Sequence, residues 1–298
     1  DEYQNKFEYY TPFGVILNTV EWDHPDFFPD MNAYRKTFGN FLSKIPRHGF
    51  LAYCEDDAEA VKLSSGVATN KLSYGFHKEA GIRIVNHEVI TDSTDGLCQR
   101  FSLEQGSTSL GVFESPLAGT HNAVNIAGAV ALCSLLSIDI DAVRTAVRKY
   151  SGTERRFEYI GKTKEDALIY DDYAHHPTEV KATLAAFRSL FPTRKLTVVF
   201  HPHTYSRTEA LLSDFSQSFG DATRVIVIDV YGSAREKTGA VGSAELVSAI
   251  NHFESGKAEL AHDFEEAENL LRDTLEKEDI VITMGAGDVW KLGRKLIA

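Results

Sequence analysis

The densest polar cluster in the chain is Asp171-Asp172-Tyr173-Ala174-His175-His176-Pro177-Thr178-Glu179. Two carboxylates and two imidazoles so close together can hold a metal, orient a ribose or position an amine. A capped strand–helix turn without chemistry is the plain alternative. Pro177 suits the first turn of a helix, and Glu179 suits its N-terminal end. A second cluster reads His201-Pro202-His203-Thr204-Tyr205-Ser206-Arg207-Thr208. His-x-His can pair on a metal. The intervening proline and the rigid guanidinium fork of Arg207 favour a carboxylate or phosphate instead.

Four smaller groups follow the same logic. Trp22-Asp23-His24-Pro25-Asp26 offers His24 to a divalent cation or to its bound water, although a histidine after a strand can be purely structural. Gly119-Thr120-His121-Asn122-Ala123-Val124-Asn125 opens a helix, where an amide can read the edge of a base. Capping by Thr120 would explain the same residues. Gly152-Thr153-Glu154-Arg155-Arg156 places two arginines in a polar bridge, able to reach a phosphate or simply to be solvated. Gly285-Ala286-Gly287-Asp288 begins like a dinucleotide fingerprint, but the next glycine is Gly293. It reads as a tight strand–helix turn.

The elements that must position these groups fall into two patterns. The run 13–20 predicts a buried strand, 30–43 a helix capped by Asp30, and 49–53 another strand. Asp56 and Asp57 can open a short helix. Region 71–114 alternates polar and apolar residues in short pieces, which predicts an antiparallel meander. Residues 119–136 predict a helix rich in small residues and packed closely on a sheet, and 139–149 a second helix after Asp139. Residues 151–156 are the candidate boundary. Beyond it, strands at 167–171, 195–200, 223–229 and 279–284 alternate with helices at 177–190, 207–218, 243–252 and 264–276. That alternation predicts βαβ units and a mainly parallel sheet. Both large clusters then follow strands, at the carboxyl edge where open α/β sheets take their ligands.

Composition excludes several classes. The chain has 298 residues, enough for about two domains. Its formal net charge is −12 without any basic run, so nucleic acid and anionic membrane are not expected partners. Cys54, Cys98 and Cys133 form no C-x-x-C pair, which argues against a zinc knuckle or a disulfide framework. No apolar run reaches the ~18 residues that a membrane span requires.

Taken together, DDYAHHPTEV at 171–180, HPHTYSRT at 201–208, TVEWDHPD at 19–26, GTHNAVN at 119–125, GTERRF at 152–157 and MGAGDVWKLG at 284–293 resemble the motifs of the Mur ligases of peptidoglycan synthesis. They stand in the family's order along the whole chain. The resemblance implies an α/β fold: the later part of the central ATPase domain over 1–152, a mixed sheet plus a meander, then a Rossmann-like C-terminal amino-acid domain over 153–298. It implies a cytoplasmic ligase using ATP and Mg²⁺. UDP-N-acetylmuramate would be activated as an acyl phosphate and joined to L-alanine. By the same resemblance His24 would hold magnesium, and His121, Asn122 and Asn125 would contact adenine. Arg155 or Arg156 would meet phosphates, and Asp171 the nucleotide or the linker arginine. His175, His203 and Arg207 would position the carboxylated substrate and the amino acid.

The departure from the family pattern is the phosphate-binding loop: G-x-x-x-x-G-K-[ST] does not occur in these residues. Asp1-Glu2-Tyr3 resembles the tail of the family's Glu-Ala-Asp-Glu segment. The expectation is therefore a chain starting inside the central domain and inactive by itself. The rival readings are a murein tripeptide ligase, suggested by Phe27-Phe28-Pro29-Asp30; a metal-dependent hydrolase using His175, His176, His201 and His203; and a non-catalytic fragment.

Overall fold

The computed structural model describes residues 6–91, 96–232, 236 and 238–297. The Asp1-Glu2-Tyr3 resemblance lies outside the described residues. Contacts divide the chain into two compact units, Asp1–Ser151 and Gly152–Ala298.

The first unit holds six strands: β1 (Gly14–Leu17), β2 (Phe50–Cys54), β3 (Asn70–Gly75), β4 (Ile82–Val89), β5 (Gln99–Gln105) and β6 (Thr108–Ser115). They lie side by side in chain order. Its helices are α1 (Met31–Leu42), α2 (Ala58–Ser65), α3 (Thr120–Leu135) and α4 (Ile140–Lys149). Asp30 caps α1 as expected, its carboxylate accepting from the N–H groups of Asn32 and Ala33. Asp57 caps α2, while Asp56 instead accepts from the backbone of Phe76 and His77.

Two expectations change here. β1 to β4 are parallel neighbours, and only β4 to β6 form the antiparallel meander. Alternation in a short strand looks the same whichever way its partner runs, and residues 71–75 belong to the parallel part of the sheet rather than to the meander. The run 13–20 is not a fully buried strand either. Only Gly14–Leu17 is extended, and Ile16 is 39 % exposed. β1 is first in the strand order, with one flank unpaired among the described residues.

Leu51, Tyr74, Ile82, Phe101 and Phe113 of the sheet pack with Ala127 and Val130 of α3 in the first core. The small residues of α3 have a specific use. A Cβ on Gly128 would meet the Tyr74 ring at 2.8 Å, so glycine lets helix and sheet approach.

The second unit holds β7 (Glu158–Lys162), β8 (Leu168–Asp172), β9 (Leu196–Phe200), β10 (Arg224–Ile228), β11 (Ala258–Ala261) and β12 (Ile280–Met284). The sheet order is β11-β10-β9-β12-β8-β7. All neighbours are parallel except β7, which runs antiparallel to β8. The helices are α5 (Pro177–Leu190), α6 (Tyr205–Ala210), α7 (Leu212–Ser216), α8 (Ser243–Phe253), α9 (Phe264–Arg272) and α10 (Trp290–Leu296). The expected helix over 207–218 is thus two short pieces meeting at Leu211.

β9 and β12 are buried along their whole length, as continuous apolar runs in a covered parallel sheet should be. Ile169, Val199, Ile226 and Val281 pack with Leu292 and Leu296 in this core. The Rossmann-like alternation of strand and crossover helix is present, and β8, β12 and β9 end side by side at their carboxyl termini.

Candidate functional site

The carboxyl ends of β8, β12 and β9 gather the polar clusters of the second unit. β8 ends in Asp171 and Asp172, both buried. Asp171 Oδ1 accepts from Thr283 Oγ1 of β12 at 2.6 Å, and its Oδ2 accepts from Arg155 Nε at 2.9 Å. Burial pushes the Asp171 carboxyl upward, against the pull of Thr283 and Arg155. Asp172 accepts backbone N–H bonds from Phe157 and Ala174, yet burial still raises its pKa to about 6.

The two linker arginines differ. Arg155 donates also to the carbonyls of Gly285 and Ala286, at 2.6 and 3.5 Å. Its guanidinium is committed to fastening the ends of β8 and β12. Arg156 is half exposed and stands 3.6 Å from Glu179, over the Tyr173 ring. Of the pair, Arg156 is the more exposed. A cavity of about 390 Å³ opens beside Arg155, lined by Glu154, Glu158, Asp171, Trp290 and Arg294 among others.

After β8 the chain turns into α5. Glu179 closes this turn by accepting from the N–H groups of His175 and His176. His175 Nδ1 lies 2.9 Å from the Tyr173 carbonyl and 3.4 Å from Glu179 Oε2. Burial would raise the Glu179 carboxyl; the charge of His175, the two backbone donors and Arg156 outweigh it, so the pKa is lowered.

After β9 the chain forms the second cluster. Thr204 sits at φ 65° and caps α6. Arg207 is only 2 % exposed. Its Nη1 donates to His203 Nδ1 at 3.0 Å and to the His203 carbonyl at 3.2 Å. His203 stacks on Tyr231 and lies 6.2 Å, ring to ring, from His175. The structure thus brings together His175, His203 and Arg207, with Arg156 and Glu179 beside them. Glu179 and Tyr173 are parts of this site that sequence reasoning left unassigned; the i, i+4 spacing of His175 and Glu179 was the available signal.

His201 lies apart from that pair. It is buried against Tyr231 and Phe264, and burial lowers its pKa to about 4. Its Nδ1 has no hydrogen-bond partner among the described residues. The glycines of the 285–288 turn are shaped by this histidine. A Cβ at Gly285, where φ is 141°, would meet the His201 carbonyl at 2.4 Å; one at Gly287 would meet Nδ1 at 2.9 Å. This is the tight strand–helix turn the sequence suggested.

In the first unit, Asn122 donates to the Ala118 carbonyl at 2.7 Å, Asn125 donates to Asn122 at 3.4 Å, and Asn18 donates to Asn125 at 2.7 Å. Gly119, not Thr120, is the N-cap of α3, and no side chain caps it. Asn122 and Asn125 therefore hang on one chain of amides at the start of α3, with half-buried His121 beside them. His24 sits at φ 54°, its backbone N–H donating to Asp23, and its Nε2 is 3.6 Å from the Asp23 carboxylate. Among the described residues no group of three or more His, Cys, Asp or Glu side chains can hold a metal ion. His24 and Asp23 alone are an incomplete donor set for magnesium, which prefers six oxygens.

Comparison with known proteins gives the class. Residues 3–133 match the Mur ligase middle domain, and residues 155–287 match the Mur ligase, glutamate ligase domain. The chain belongs to the Mur ligase family. More particularly, it is 36 % identical, over 298 residues, to the UDP-N-acetylmuramate–L-alanine ligase of Desulfitobacterium hafniense, covering 99 % of this chain and 64 % of that one. The chain thus spans somewhat under two thirds of that relative's length. The UDP-N-acetylmuramate–alanine ligase MurC of Thermotoga maritima has the same fold, with a TM-score of 0.78 at 20 % identity, over 100 % of this chain and 61 % of that one. MurF ligase of Thermotoga maritima, solved in complex with ADP, matches with a TM-score of 0.72 at 17 % identity, over 96 % of this chain and 62 % of that one. No helix among the described residues is long and apolar enough to cross a membrane.

Proposed function

We propose that this chain serves the ATP-dependent ligation of L-alanine to the carboxylate of UDP-N-acetylmuramate. The observation that carries the reading is the cluster of His175, His203, Arg207, Arg156 and Glu179 within one unit, in a chain this similar to an alanine-adding ligase. Such a site has the parts an amino acid needs: imidazoles for the ammonium end and cationic donors for a carboxylate. The two domains, as proposed, are a central ATP-binding part over 1–152 and an amino-acid part over 153–298.

His121, Asn122 and Asn125 are the proposed adenine contacts, at the start of α3. His24 is proposed as one contact to magnesium or its hydration shell, the other ligands being phosphate oxygens and water. Magnesium, when bound with ATP, neutralises the charge of the transferred phosphoryl group. Arg156 is the proposed phosphate contact of the linker pair, and Arg155 with Asp171 holds the floor on which it stands.

The test is release of ADP and formation of amide from UDP-N-acetylmuramate, L-alanine and MgATP. It is run on the chain alone and on the chain joined to the part of the Desulfitobacterium relative that it does not span. Turnover in the joined form, and none in the chain alone, is the expected pair. A folded joined form that makes no amide overturns the proposal.

A further inference from the structure

We infer that His175 accepts the proton of the incoming amine, with Glu179 and Arg207 as positioning residues that set opposite tautomers on the two facing imidazoles. The inference rests on the ligase reading above and adds to it a division of labour between His175 and His203.

The argument is one of donors and acceptors. A peptide carbonyl can only accept a hydrogen bond. His175 Nδ1, 2.9 Å from the Tyr173 carbonyl, must therefore carry the proton. The Glu179 carboxylate, 3.4 Å from the same nitrogen, holds it there too. Neutral His175 then has its lone pair on Nε2. A guanidinium can only donate. His203 Nδ1, 3.0 Å from Arg207 Nη1, must therefore accept, and neutral His203 carries its proton on Nε2. The two rings stand 6.2 Å apart and nearly perpendicular. One site thus offers a basic nitrogen and an N–H donor, the complement of an amine and a carboxylate on one small molecule.

An amino acid arrives as an ammonium and cannot attack until it loses a proton. In the proposed step an N–H bond of the ammonium breaks, and the proton passes to His175 Nε2. The freed lone pair forms the C–N bond at the acyl phosphate carbon; phosphate then departs with the electron pair of the C–O bond and takes the second N–H proton, leaving a neutral amide. The imidazolium formed on His175 faces the Glu179 carboxylate, the arrangement that stabilises a histidine base after it has taken its proton. Among the described residues, groups facing this pair include Tyr173, Arg156 beside Glu179, and His203 with Arg207 from the loop after β9; buried Asp172 also senses Glu179.

Glu179 also closes the turn into α5, so the test must separate charge from capping. Glu179→Gln keeps an oxygen for both backbone N–H groups and removes the charge. Nitrogen-15 NMR of the imidazoles in the chain is expected to show neutral His175 protonated on Nδ1 and neutral His203 on Nε2. Glu179→Gln is expected to lower the titration midpoint of His175 by about one pH unit. The acidic limb of kcat/KM for L-alanine, in the joined form, should move by the same amount in the same direction. A purely capping role would leave that limb where it is. Finding the same tautomer on both rings overturns the inference. So does an unmoved limb in an enzyme that still makes amide, and in that case the ligase reading stands. Absence of amide with any amino acid sinks the ligase reading and this inference together.

Discussion

Arg155 and Arg156 are adjacent in the chain and do different work. Arg155 is 21 % exposed and its partner Asp171 only 1 %. Arg155→Ala would leave a buried carboxylate without its cation and free two carbonyls at the turn after β12. The expected cost is about 2–4 kcal/mol in urea unfolding of the second unit. Arg156→Ala, at an exposed position, should change stability by less than about 0.5 kcal/mol while weakening any phosphate contact. Equal losses from both variants would contradict this assignment. The sequence offered the two arginines as equals, because residue type and spacing say nothing about what a side chain will find within reach. The same holds for the histidines. His175, His203 and Arg207 were legible as candidates from their types. Their tautomers were not, since these depend on the Tyr173 carbonyl and on how Arg207 folds back onto His203. Thr283, 112 residues from Asp171, had no sequence signal at all.

At the level of elements, the strongest constraint is the turn from β12 to α10. Gly285 lies at a φ of 141°, and its missing side chain leaves room for the His201 carbonyl. Gly285→Ala would combine backbone strain with a backbone contact that cannot move aside. A loss of about 2–4 kcal/mol is expected, with β9 and β12 pushed apart at the site. A variant that unfolds at the wild-type urea midpoint would show that the turn can relax. Such turns were readable from glycine placement, and so were the buried strands β8, β9, β10 and β12, whose apolar runs have no other explanation. β7 and β11 were not. β7 reads EYIGK, interrupted by Gly161 and mostly half-exposed, and β11 has four residues, AELA. Each is an outer strand whose extended shape comes from pairing with a neighbour rather than from its own pattern. The helix over 207–218 failed for a related reason. Its apolar spacing is helical, but the φ of Leu211 is −112°, and the helix breaks there into two short pieces.

On the scale of the whole molecule, two units with separate cores imply two unfolding events, and two buried groups give the second an acid response of its own. His201 and Asp172 both lie in that unit and pull in opposite directions. The ordinary pKa of His201 is 6.5 and burial lowers it to about 4. Between these values the unfolded chain binds a proton that the folded chain refuses, so stability falls as pH drops through this window. Asp172 is raised from 3.8 to about 6. Between those values the folded chain holds the extra proton, so its contribution to stability rises as pH drops. Each effect is at most about 3 kcal/mol, and over the shared range they largely cancel. Removing one should therefore unmask the other. Trp290 reports on the second unit once Trp22, the other tryptophan, is replaced by Phe. In that background, urea midpoints followed from pH 7 to pH 4 should separate three curves. Relative to the parent, His201→Gln should gain stability on acidification, and Asp172→Asn should lose it more steeply. The remaining carboxylates act alike in all three proteins and drop out of the differences. Three parallel curves would mean that neither buried group titrates differently in the folded chain.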